Sequence, residues 1–129
     1  MRLFRFSLAW STVIHNSLTA VFVPAGDFVS PFGYKSARAE SDMRGKSANC
    51  EVQAALQFSD DLEGTNAVVV AVGQNMVADQ FYPPPTGVVA DILTNCNRYR
   101  YVRPGWLVKG GNSVTAWARV GGVIELTSV

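Results

Sequence analysis

The residues able to do chemistry are few and scattered. His15 is the only histidine. Neither a cysteine nor a carboxylate stands near it in sequence, so it forms no metal pattern and no catalytic triad. Glu51, Asp79, Asp91 and Glu125 offer carboxylates, but an acid pair works only across a fixed gap, and strands of unknown register fix none. The glycine pairs Gly110-Gly111 and Gly121-Gly122 lack the following helix that a phosphate loop needs. SDDLEGTN, residues 59–66, sets out oxygen donors on Ser59, Asp60, Asp61, Glu63 and Asn66 that suit calcium. It lacks the ligand order and closing bidentate glutamate of an EF-hand, and Asp and Gly are what a turn uses. No cofactor, no metal and no enzymatic activity are expected.

Cys50 and Cys96 are the only cysteines, too few for a disulfide framework and spaced for no metal. One bridge between them stays open, because sequence does not give a Cα distance. Two buried free thiols are the favoured reading.

The most chemically varied stretch is RYRYVRPGWLVKGGN, from Arg98 to Asn112. As a strand it puts Tyr99, Tyr101 and Arg103 on one face and Arg98, Arg100 and Val102 on the other. One reading is a platform of rings and charges for nucleic acid or sugar. The other is an ordinary strand, with tyrosines at the core edge and arginines lying along aromatic faces. A formal net charge of +1 favours the second, since nucleic-acid binding needs a concentrated basic face. Neither a nucleic acid nor a membrane is an expected partner, and no apolar run approaches the ~20 residues of a spanning helix.

The elements that hold these residues read as strands. With 129 residues, 48% hydrophobic and 16% charged, the chain suits one domain with one core. NCEVQAALQF places Cys50, Val52, Ala54, Leu56 and Phe58 on one face, the period of a half-buried strand. SDDLEG turns the chain into AVVVAV (67–72), a β-branched neighbour. QNMVADQFYPPPTG (74–87) holds three consecutive prolines and reads as a surface crossing between sheets. VVADIL (88–93) is predicted as a short strand, RYRYVRPGWLVK as one strand bent at Pro104-Gly105, and SVTAWARVGGVIEL as the last strand, with a bulge or bend at Gly121-Gly122. LTAVFVP (18–24) and YKSARAESDM (34–43) add two more, the second against a weak helical competitor. LFRFSLAW is a first strand or an extended arm. About eight strands with turns about every ten residues predict an all-β antiparallel sandwich, jelly-roll-like, over residues 25–129. Residues 1–24 are expected as an N-terminal arm or first strands, a segment that could reach between subunits. Arg2 and Arg5 ahead of apolar residues look briefly like a signal peptide, but Ser7, Ser11, Thr12, His15 and Asn16 interrupt the block, so the segment reads as retained.

Aromatic residues in probable loops suggest protein contacts. The expected assembly surface is Phe4, Phe6, Leu8 and Trp10 of the arm, Phe28 and Phe32 of FVSPFGY, and Phe81 and Tyr82 of DQFYPPPTG. A stacking surface for sugar would use Tyr99, Tyr101, Trp106 or Trp117.

Three segments in order, VQAALQFSDD, NRYRYVRPGWLVK and ARVGGVIEL, resemble small β-sandwich proteins from the structural gene clusters of tailed bacteriophages. In that family one strand ends in a Ser-Asn/Asp-Asp turn, a later strand carries an Arg-Tyr/Phe-Val-Arg core, and the last closes the sheet. GDFVSP ahead of YKSARAE fits the same layout. The resemblance covers residues 26–126 and brings no catalytic residues. It implies a capsid decoration or cement protein on the virion surface, a homo-oligomer such as a trimer, partnered by the major capsid protein or another virion protein. Two alternatives stand beside it: a carbohydrate-binding sandwich for host or surface attachment, and a self-assembling bacterial surface or filament subunit joined through strand edges.

Overall fold

The computed structural model describes residues 1–15, 18–87, 89, 91–110 and 115–129. Eight strands form in chain order: β1 (Leu3–His15), β2 (Val21–Pro24), β3 (Ser36–Lys46), β4 (Glu51–Ser59), β5 (Val68–Ala71), β6 (Phe81–Tyr82), β7 (Tyr101–Lys109) and β8 (Ala116–Thr127). One helix, α1 (Ile92–Arg98), precedes β7. Every ladder is antiparallel. First pairs with last, β1 on β8, and the nesting continues with β2 on β7, β3 on β6 and β4 on β5. The chain is thus one long hairpin, and two further ladders, β3 on β8 and β4 on β7, roll it into four-stranded sheets. Their orders are β1-β8-β3-β6 and β2-β7-β4-β5. This is a jelly roll, as the alternating pattern implied.

Period-two alternation builds the core between the sheets. Val52, Leu56 and Phe58 of β4 meet Val102, Trp106 and Val108 of β7 and Ile124 and Leu126 of β8, all 0% exposed. Each such side chain contributes about 1.5–3 kcal/mol by leaving water. A proline in the central strand β7 is tolerated for a geometric reason. The nitrogen and carbonyl of one strand residue point the same way, and the Pro104 carbonyl accepts Ala25 N–H at 3.0 Å. The missing donor therefore faces the chain just past the end of β2, and pairing with β4 runs unbroken from Ser59 to Glu51.

Three expectations change. The N-terminal segment is no free arm: residues 3–15 form an edge strand paired along the chain's own β8. Phe6 and Leu8 are 7% and 4% exposed, because alternation turns them onto the core. The strand expected at 88–93 does not form where the span is described. Ile92 and Leu93 lie in α1, while Val88 and Ala90 lie outside the described residues. The eighth strand is instead the short β6 inside the proline-rich crossing, which does pass between sheets, from a bridge at Met76 on Val52 to the pairing of Phe81 with Asp42. The bulge expected at Gly121-Gly122 sits opposite them, where Ala9 and Trp10 of β1 face the single Gly121. A second bulge places Arg44 and Gly45 of β3 opposite Arg119.

Candidate assembly surface

The carboxylates that sequence offered for chemistry are dispersed, and their bonds hold structure together. Glu125 pairs with Arg5 at 2.9 Å, Asp79 accepts Gly45 N–H at 2.9 Å, and Glu51 accepts Asn75 Nδ2 at 2.6 Å. Asp91 stands before α1 in a left-handed conformation, φ 66°. His15 meets the Thr19 carbonyl at 3.3 Å. Among the described residues no three His, Cys, Asp or Glu groups gather where they could hold a metal. In the SDDLEGTN loop, Asp61 accepts N–H bonds from Glu63 (3.1 Å) and Thr65 (3.0 Å). Those bonds, the Thr65 one first, hold its carboxyl below the usual carboxylate range. The loop is a turn built around an aspartate.

Cys50 and Cys96 are free and buried. Burial pushes the Cys96 thiol up to about 11 and raises that of Cys50 as well.

RYRYVRPGWLVKGGN does not form one platform. Arg98 ends α1, with its guanidinium 5.3 Å from the half-buried Tyr99 ring, and Tyr99 packs on Phe58. Tyr101 and Arg103 lie on the outer face of β7. There Arg103 sits 4.4 Å over Phe28 and donates to Gln57 at 2.7 Å, while Phe28 packs against Tyr101 at 6.0 Å. Trp106 is 0% exposed, so it cannot stack on a sugar: β7 turns it onto the core with Val102 and Val108. Trp117, 43% exposed, belongs to the other sheet. Gly111 and Asn112 lie outside the described residues.

The assembly candidates divide in the same way. Phe4 is half-buried against Phe6, ring centres 4.9 Å apart. Tyr82 is 6% exposed; its hydroxyl accepts the N–H groups of Val77 and Ala78 and donates to the Ala78 carbonyl, stapling the crossing loop. Phe6, Leu8 and Tyr82 are therefore core and not interface. Phe32 stays open in the loop before β3, at 74% exposure. Trp10 and Phe81 come together on the outer face of the β1-β8-β3-β6 sheet.

That face carries several large exposed apolar side chains. Ile14 and Trp117 are register partners and both exposed. Two rows along, past Thr12 and Arg119, Trp10 bulges over Gly121, whose other neighbour, Asp42, pairs with Phe81. A Cβ placed on Gly121 would lie 3.0 Å from the ring-fusion atom Cδ2 of Trp10, with Cε2 and Cγ at 3.2 and 3.3 Å. A fusion atom can be approached so closely only through the ring face. The indole therefore lies flat on the glycine, its other face toward solvent. On Gly122 a Cβ would meet the Glu40 carbonyl at 2.5 Å, so β3 and β8 approach closely because no side chain separates them. Sequence reasoning found Trp10 and Phe81 as residues but not their meeting, which depends on a ladder between residues 42 and 81.

No known family profile matches the sequence, and no curated protein matches it. Similarity appears in structure. The VP2 subviral particle of infectious bursal disease virus matches with a TM-score of 0.58 at 11% identity, covering 97% of this chain and 31% of that one. The Gt strain structure of the same virus gives 0.61 at 13% identity, with the same coverage. T=1 particles derived from the virus give 0.58 at 12% identity. The jelly roll is thus shared along nearly the whole chain, which spans less than a third of the length of those proteins.

Proposed function

We propose that this chain is a non-enzymatic structural protein of a virus particle, acting through contacts between folded subunits. The observation that carries the reading is the match of 97% of the chain to VP2 of infectious bursal disease virus, solved as a subviral particle. The exposed aromatic and aliphatic face of the β1-β8-β3-β6 sheet supports it, since buried apolar area at subunit junctions stabilises a shell without an active site. The finer reading is a capsid decoration or cement protein on the virion surface, as the resemblance to tailed-bacteriophage sandwich proteins implies. It would be a homo-oligomer partnered by the major capsid protein. With the N-terminal strand folded on its own core, the proposed contact residues are Trp10, Ile14, Phe81 and Trp117, joined by Phe28 and Phe32 from the loop before β3.

Electron microscopy of the concentrated chain, alone and with shells of its parent particle, tests this. A shell building block closes into particles alone, whereas a decoration protein forms a small symmetric oligomer that coats supplied shells. A chain that stays monomeric and leaves shells bare overturns the reading.

A further inference from the structure

A sheet edge offers main-chain donors and acceptors to any strand that comes alongside, and folded proteins ordinarily blunt it with charge, proline or a bulge. The two sheets have four edges, β1, β6, β2 and β5, and three of them are blunted. β1 carries Arg5 and is broken by the bulge at Ala9 and Trp10. Ala25 N–H reaches the Pro104 carbonyl at 3.0 Å, so Pro24 of β2, one residue before, faces outward and has no donor there. β6 is two residues long and runs straight into Pro83. β5 is short as well, but it reads VVVA inside AVVVAV, without proline or bulge, and no charged residue stands between Glu63 and Asp79. Val72 N–H reaches the Ala54 carbonyl at 2.9 Å. By alternation Val68 and Val70 address β4 as well, so Val69 and Ala71 turn their N–H and C=O groups to the open side. Among the described residues no hydrogen bond occupies those groups, and Val69 is 37% exposed.

We propose that β5 is a docking edge for β5 of a second copy, the two strands running antiparallel about a two-fold axis beside Val70. That register sets Val69 against Ala71 of the partner subunit, and Ala71 against Val69 of the partner subunit. Each residue offers one donor and one acceptor, so every open group of the two positions is satisfied. An uncharged segment meets its own copy without like-charge repulsion, and the two-fold closes the contact instead of propagating it into a fibre. The area is small, well under the about 1,000 Å² of a stable interface. The edge therefore joins subunits that other contacts have already gathered, and in this it rests on the assembly reading above.

The test is hydrogen exchange of the full chain, read at single amides by mass spectrometry across a concentration series, with sedimentation velocity alongside. The Val69 and Ala71 amides should exchange freely in dilute solution and become protected as the chain associates, while those of Val70 and Val72 are protected throughout. Val69→Lys puts a charge on the outward side chain. Ala71→Pro removes a donor that the ladder with β4 does not use, and melts show that each variant folds. In both, the amide at position 69 should stay unprotected at every concentration. Association of the parent with Val69 and Ala71 still exchanging freely overturns this inference alone, as does unchanged protection in either folded variant. Protection that appears only on added shells gives the edge to a different protein and overturns the self-pairing. A parent that never associates sinks this inference together with the assembly reading.

Discussion

Two adjacent glycines should respond to the same substitution very unequally. In Gly122→Ala the new Cβ would sit 2.5 Å from the Glu40 carbonyl oxygen and 3.0 Å from Ser41 Cα. Both atoms are backbone, held in a ladder that pairs Glu40 with Val123 and Ser41 with Gly122, so relief requires β3 to move as a unit. Overpacking of this kind costs about 1–3 kcal/mol, and a backbone clash in a central ladder belongs at the upper end. Replacing glycine returns about 0.5 kcal/mol by restricting the unfolded chain, leaving a net loss of about 2.5 kcal/mol. At about 4 °C per kcal/mol for a domain this size, Tm should fall by about 10 °C. In Gly121→Ala the clash is with the Trp10 indole alone. That ring can swing outward, so stability should stay within about 1 kcal/mol of the parent, while tryptophan emission shifts as the indole lifts. Thermal melts followed by circular dichroism and fluorescence measure both. A Gly122→Ala melt within about 2 °C of the parent, or Gly121→Ala as the more damaging change, would refute the close-approach argument.

Further outcomes follow from the core and the loops. Trp106 is fully buried and its Nε1–H has no partner. Trp106→Phe should therefore fall within about 1 kcal/mol of the parent, lost contacts offsetting the removed orphan donor, while Trp106→Ala should cost about 3–5 kcal/mol in urea unfolding. The Asp61 carboxyl is held below its ordinary value by the Thr65, Glu63 and Gly64 amides. Its contribution is thus present above the unfolded value near 3.9 and is lost as pH falls through the folded value. Asp61→Ala should flatten the acid side of a stability-versus-pH curve below about pH 4 and leave the neutral side parallel. With Cys96 pushed up to about 11, only about one molecule in a thousand carries its thiolate at pH 8. Labelling by a disulfide reagent should track global unfolding, and rapid labelling of the folded chain would contradict the burial.

The fold was legible because burial of one face writes a period of two into the sequence. Cys50, Val52, Ala54, Leu56 and Phe58 are all 0% exposed, as the alternation required. What misled was ambiguity the same signal leaves behind. Leu3 to Trp10 alternates as an arm or a strand would, and only the register with Leu126 and Ile124 decides that Phe4 and Phe6 stay at home. Ile92, Cys96 and Tyr99 follow helical spacing, but one seven-residue helix is too short for its period to outweigh the β-branched residues before it. The meeting of Trp10 and Phe81 was illegible for a different reason. It depends on residues 10, 121, 42 and 81 lying on neighbouring strands, and no local pattern encodes which strands become neighbours.

In the proposed assembly the outer face of the β1-β8-β3-β6 sheet joins folded subunits. Sedimentation velocity of the parent chain and of a Trp10→Glu, Trp117→Glu variant, with melts alongside, probes that contact. The expected result is a concentration-dependent oligomer for the parent and a monomer of unchanged Tm for the variant. A parent that sediments as a monomer at every concentration, or a variant that assembles as well as the parent, would contradict it.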